Sequence, residues 1–217
     1  MTVAEMISQL RIRLEDANDE EFSVANKINA LNNAQDRLVT LLNNQFLTEL
    51  ETLQQWTTDT NEPKLIYGVF QLNKLQHKVL NGSVGILAVK THGFKSKGAK
   101  YLNRIDLSQV KEFDSGMVST DIKDPYYVVF SDRIELVPTT EQETIVIDIY
   151  YLRKPTEIVV RADNVYSNQT SELNAGLHYL IVGLAESYLW MNSEEYSRSQ
   201  EIEKMALRQI ENINSKV

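Results

Sequence analysis

Apolar residues between positions 171 and 191 recur at three- and four-residue steps, which is the period of a helix. The stripe consists of Leu173, Leu177, Leu180, Leu184 and Tyr188. Further apolar side chains widen it around the other sides, and Glu186 is the only charged residue between Leu173 and Met191. A helix with this much apolar surface must be covered on more than one side. The pattern therefore predicts a central, buried helix. A membrane span is not expected, because an ionisable side chain is costly within a bilayer.

Three further amphipathic helices are predicted around this central helix. Thr2 and Glu5 have the spacing of a capping box, which opens a short N-terminal helix. Ser23 is a candidate N-cap for a second helix, whose apolar stripe continues as far as Leu53. The last helix follows Ser193, its expected cap. All three show the apolar stripe of helices that pack on one side only.

The pattern changes between residues 65 and 152, where short β-branched and aromatic runs alternate with turn residues. Residues 126–137 predict a hairpin with its turn at Ser131 and Asp132. Residues 144–152 predict a further strand, whose isoleucines alternate onto one face. Consecutive strands with short turns favour an antiparallel sheet.

The predicted fold class is α+β. We expect an antiparallel helical layer of two N-terminal and two C-terminal helices, with an inserted small antiparallel β-sandwich or barrel. The expected parts are an N-terminal helical part at 1–60, a β-rich insertion at 61–155 and C-terminal helices at 156–217. The two helix pairs are expected to pack on each other, because neither pair has enough partners alone. Residues 105–113 fit either a strand or a turn of helix.

Composition excludes several kinds of chemistry. The chain has 217 residues, of which 42% are apolar, and it contains no cysteine. This length allows one domain or two small ones, and thiolate metal sites and cysteine nucleophiles are impossible. The three histidines, His77, His92 and His178, lack metal-motif spacing, and no phosphate-binding or nucleophile motif occurs. We therefore expect no catalytic residues, no metal and no cofactor.

Charge is unevenly distributed along the chain. The net charge is −8, with −6 in residues 1–60, +2 in residues 61–155 and −4 in residues 156–217. This balance is unlike that of a general nucleic-acid binder, which has a broadly basic surface. The acidic segment 16–21 is predicted to be a solvated turn, because it lacks the ligand spacing of a calcium-binding loop. The chain begins without a secretory signal pattern, which predicts a cytoplasmic protein or a particle assembled in the cytoplasm.

The second predicted helix has a polar face that is a candidate subunit interface. Its proposed contact residues are Asn29, Asn33, Asp36 and Asn44. Amide side chains can hydrogen-bond a neighbouring subunit without burying much charge. The final predicted helix is the other candidate for this contact, and plain exposure of the polar face to solvent is the alternative interpretation.

Segment 90–104 is a second candidate surface, because it holds five basic groups and no acid. Its proposed contact residues are Lys90, Phe94, Lys95, Lys97, Lys100, Tyr101 and Arg104. Such a cluster attracts phosphates or an acidic protein face, and aromatic residues are suited to anchoring on a protein partner. The alternative is a solvated hairpin tip.

Three passages of the sequence resemble the head-to-tail adaptor, or connector, proteins of tailed bacteriophages. They are residues 22–38, the strand pair 124–138 with the following run 149–155, and the closing helix 177–190. The resemblance implies a structural virion protein that forms a ring, commonly of twelve copies, beneath the portal protein. It further implies a continued DNA channel with non-specific contact to passing DNA, and a docking surface for the tail hub or nozzle protein.

This resemblance places the protein in the virion, assembled in the host cytoplasm, with no membrane partner and no enzymatic role. Two other classes of function stay open on the sequence alone. One is a tail-associated cell-wall hydrolase, and the other is a soluble assembly or binding module.

Overall fold

The computed structural model describes residues 1–57, 68–80, 82–92, 98–114, 125–137, 146–159 and 168–216. The α-helices in these ranges are α1 (Val3–Leu14), α2 (Val24–Leu41), α3 (Leu107–Asp114), α4 (His178–Asn192) and α5 (Tyr196–Asn214). The strands are β1 (Glu51–Thr57), β2 (Val69–Gln71), β3 (Ile86–Thr91), β4 (Lys100–Tyr101), β5 (Tyr126–Val129), β6 (Arg133–Val137) and β7 (Val146–Leu152). Helices together with antiparallel sheets confirm the predicted α+β class.

The chain forms two compact units. Residues 1–50 and 155–217 make up the helical unit, and residues 51–154 make up the β unit. The helical unit is therefore built from both ends of the chain.

Helix α4 is the centre of the helical unit. It packs against α1, α2 and α5, and its buried side chains lie on all sides of the helix, from Leu180 and Ile181 to Ala185 and Leu189. This arrangement confirms the central, buried helix predicted from the sequence. Among the described residues, no helix has the length and apolar character needed to cross a membrane.

The predicted starts of the first two helices are confirmed by their caps. The Thr2 hydroxyl accepts a hydrogen bond from the Glu5 amide, and the Glu5 carboxylate accepts one from the Thr2 amide. The Ser23 hydroxyl accepts a hydrogen bond from the Asn26 amide. The predicted cap of the last helix is wrong. Ser193 instead ends α4, where its hydroxyl donates to the Trp190 carbonyl.

The predicted continuation of the second helix to Leu53 is also wrong, because α2 ends at Leu41. Leu42 has extended backbone angles, two short 3₁₀ turns follow, and β1 begins at Glu51. Leu50, which belongs to the supposed stripe, is fully buried in this region, and so is Leu47. Both leucines therefore lie in the core although no continuous helix carries them there.

The described residues of the β unit form two antiparallel sheets. One has the strand order β1-β7-β3-β4, and the other has the order β2-β6-β5. The predicted hairpin is confirmed by the pairing of β5 with β6. Side chains of both sheets meet in a common core, where Phe70 and Ile134 lie with Ile147, Ile149 and Tyr151. This core is the one that a small β-sandwich requires.

The ambiguous stretch at 105–113 is largely helical. Helix α3 begins at Leu107, and the Asp106 carbonyl accepts hydrogen bonds from the Gln109 and Val110 amides. The Gln109 side chain also accepts a hydrogen bond from the Asp106 amide. These bonds satisfy backbone groups that a helix start leaves without partners.

Candidate interaction surfaces

The basic segment 90–104 is anchored at both of its ends. Lys90 lies on β3, opposite Tyr101 on β4, and the Leu102 amide donates to the Val89 carbonyl at 2.9 Å. Phe94, Lys95 and Lys97 lie outside the described residues.

Beyond β4, the segment joins the second sheet. The Ile105 amide donates to the Tyr127 carbonyl at 2.9 Å, and the Tyr127 amide donates to the Asn103 carbonyl at 3.0 Å. Lys100, on β4, and Arg104, between the two residues that bond to Tyr127, are both exposed. The structure therefore places the described basic residues next to two different sheets.

Tyr101 is held by two neighbouring side chains. Its ring centroid lies 5.9 Å from that of Tyr150 on β7, and the Lys90 ammonium lies 5.7 Å from the Tyr101 centroid. A hydrogen bond between the two tyrosines raises the pKa of Tyr150. Because Tyr101 is 57% exposed, it presents an aromatic surface whose orientation is already restricted.

The histidine within this segment, His92, is part of a polar network. His92 Nε2 lies 2.6 Å from Asp148 Oδ2, and the Gln55 amide donates to Asp148 Oδ1 at 3.2 Å. His178 lies elsewhere, in the helical unit, where Nε2 contacts the Leu173 carbonyl at 2.8 Å and burial lowers its pKa. Among the described residues, no cluster of three potential ligands could hold a metal ion.

The predicted asparagine-rich face is only partly a single surface. Asn29, Asn33 and Asp36 are exposed on α2. Asn44 is exposed too, but it lies on a 3₁₀ turn beyond the end of the helix, so it does not continue that face. Asn32, one position away, is used internally, since its side chain forms hydrogen bonds of 2.8 and 2.9 Å with the Ile158 backbone.

The acidic segment 16–21 is the turn expected from its composition and is exposed at four of its six residues, but Asp16 is buried and Asp19 is half-buried. Lys27 is fully buried, and its ammonium donates to Asp16 at 2.7 Å, to Asp19 at 2.6 Å and to the Phe22 carbonyl at 2.8 Å. Arg11 also donates to Asp19. We call Arg11, Asp16, Asp19 and Lys27 the lysine cluster.

The lysine cluster keeps both aspartates ionised. Although burial opposes ionisation of Asp16, the bond from Lys27 and three backbone amides lowers its pKa to about 2. The hydrogen bond from Arg11, together with Lys27, lowers the pKa of Asp19 to about 2. One feature of the sequence indicates this cluster. Lys27 lies beside Ile28 on the buried side of an amphipathic helix, where a lysine needs acidic partners.

The family model described as SU10 adaptor protein matches residues 1–216 of the chain. No curated protein matches the sequence. The family match spans both compact units and confirms the adaptor resemblance of the sequence.

Proposed function

Because the chain belongs to the SU10 adaptor protein family, we propose that it is a structural virion protein that forms a ring between the portal and the tail. In this proposal the ring continues the DNA channel, touches passing DNA without sequence preference and docks the tail hub or nozzle protein. The observation that carries the proposal is the family match over residues 1–216. A ring of twelve copies is the expected form, and its role is structural and not enzymatic.

The exposed asparagines of α2 are proposed to take part in subunit contacts. Asn29 and Asn33 lie four residues apart on one helix, so their amides share a face. Amides can pair across an interface at a small desolvation cost compared with charges. This surface can therefore be covered in a ring and solvated in a monomer.

The basic segment is proposed to contact an acidic protein face of the portal or tail. Lys100 and Arg104 are exposed, and like charges gathered in one segment create a field that an acidic partner relieves. A protein partner fits better than tight DNA binding, because DNA must slide past an adaptor. The net charge of −8 also favours sliding.

The proposal is tested by mixing the purified protein with the purified portal of the same virion and imaging the product by negative-stain electron microscopy. We expect a ring on one end of the portal. Asn29→Arg with Asn33→Arg should reduce ring formation, whereas the exposed control Ser108→Arg on α3 should not. Portal particles that never acquire a ring would contradict the proposed function, as would release of sugar from cell-wall glycan by the purified protein.

Charge reversal tests the second contact. Lys95→Glu, Lys97→Glu and Lys100→Glu together should block the joining of heads to tails without preventing folding. Lys111→Glu, exposed on α3, is the control for a general change in charge. If heads carrying the triple variant joined tails normally, the segment would be a solvated hairpin tip.

A further inference from the structure

The outward face of the four-stranded sheet carries two rows of side chains that the core does not use. In one row Tyr150 lies between Leu53 and Ala88. In the other row, Asp148 lies between Gln55 and Lys90, and Tyr101 follows Lys90. Directly opposite residues of antiparallel strands share a face. We call these residues the sheet patch: Leu53, Gln55, Ala88, Lys90, Tyr101, Asp148 and Tyr150.

The sheet patch has the composition of an interface centre. Leu53 is 52% exposed and Tyr101 is 57% exposed, beside the partly exposed Tyr150. Tyrosine is enriched where protein interfaces concentrate their binding energy. Since Tyr101 is already held by Tyr150 and Lys90, it loses little rotamer freedom when a partner covers it.

The charges of the sheet patch favour an acidic partner. The Asp148 side chain is buried and contacts His92 and Gln55, whereas Lys90 is half-buried, so Lys90 is the charge of the patch that lies closer to a partner. The helical unit carries 9 basic and 17 acidic groups, a net of −8, whereas the β unit carries 13 of each. Two helical units placed side by side would repel each other. A helical unit placed on the sheet patch of another copy would not.

We infer that the sheet patch is the docking site for the helical unit of a second copy of this chain. The inference rests on the proposed ring, because a closed ring of identical subunits needs two different surfaces that fit each other. The chain supplies both surfaces, one on its acidic helical unit and one on its β unit. Leu53, Tyr101 and Tyr150 form the apolar centre of the contact, and Lys90 faces the acidic partner. In this assignment Lys90 and Tyr101 contact a second copy, and the contact with the portal or tail belongs to the rest of the basic segment, namely Lys95, Lys97, Lys100 and Arg104.

The absence of cysteine from the sequence allows a direct test. Leu53→Cys is labelled with benzophenone maleimide, assembled on the portal and irradiated, and the products are identified by mass spectrometry. We expect a chain–chain product that joins position 53 to residues 1–50 or 155–217. Val84→Cys, at an exposed position of the β unit, is the control and should give much less of this product.

Other products of the same experiment would overturn the inference. A product joining position 53 to the portal, to a tail protein or to DNA would assign the sheet patch to that partner. If rings form but position 53 gives no chain–chain product, the sheet patch is not the subunit contact, although the proposed function still stands. If no rings form on the portal, the proposed function fails and the inference fails with it.

A second test avoids any label on the patch. Lys90→Glu should reduce ring formation, because it places an acid opposite the acidic helical unit, whereas Lys90→Arg should retain it. Circular dichroism establishes that both variants are folded. Equal ring formation by folded Lys90→Glu and Lys90→Arg proteins would refute the role given to this charge.

Discussion

Replacing Lys27 by Met is expected to destabilise the helical unit strongly. Methionine preserves much of the length and apolar stem of lysine but removes the ammonium. The change leaves Asp16 and Asp19, with side chains 5% and 18% exposed, without the cation that they share. It also leaves the Phe22 carbonyl without its donor from Lys27.

The size of the loss in stability depends on the hydrogen-bond donors that Asp16 and Asp19 keep after the substitution. Removal of one partner from a buried ion pair costs about 3–5 kcal/mol. Asp16 keeps three backbone amide donors, and Asp19 keeps Arg11. We therefore expect the lower end of this range, about 3 kcal/mol. In a chain of this size, that corresponds to a fall of roughly 6–12 °C in Tm.

Urea denaturation followed by circular dichroism at 222 nm measures this loss. Lys204→Met is the matched control, because Lys204 is exposed on α5, and its free energy of unfolding should change by less than about 0.5 kcal/mol. Asp16→Asn combined with Lys27→Met should recover part of the loss, since the double variant no longer buries an unpaired carboxylate at position 16. A cost below about 1 kcal/mol for Lys27→Met would refute the view that the lysine cluster holds this end of the fold together.

Two further predictions concern the helical unit. Since the pKa values of both aspartates in the lysine cluster are about 2 in the folded protein and about 3.9 in an unfolded chain, their contribution to stability is complete above about pH 4 and is lost as the pH falls towards 2. Urea titrations across this pH range should show this loss of unfolding free energy in the wild type and a smaller loss in Lys27→Met. If the unfolding free energies of the two proteins fell equally with pH, this explanation would be contradicted. Asn32→Ala should lower the free energy of unfolding by about 1–3 kcal/mol, because it removes both hydrogen bonds to the Ile158 backbone. The exposed neighbour Asn33→Ala should change it by less than about 0.5 kcal/mol, and similar effects of the two substitutions would contradict this assignment.

The sequence predicted those parts of the fold that depend on contacts between residues close together in the chain. The first two helix starts depend on side chains three residues from the groups that they cap. The burial of α4 follows from apolar residues on most of its sides. In contrast, the sequence does not predict β1, because the spacing of Phe46, Leu50 and Leu53 also fits a helix. Pairing with β7, about a hundred residues away in sequence, decides the conformation of this segment, and no local pattern reports it.

The candidate surfaces also depend on contacts between residues far apart in the sequence, which local patterns do not predict. Sequence proximity and like charge grouped Lys90 with Arg104, yet Lys90 belongs to the outward face of one sheet and Arg104 bridges to Tyr127 in the other. The partner that positions Tyr101 is Tyr150, from a strand 49 residues later in the chain. A basic run in a sequence therefore indicates an attraction for acidic partners, whereas strand register decides which of its members act together. Lys90 and Arg104 consequently belong in separate variants, because a joint substitution would merge the effects of two different surfaces.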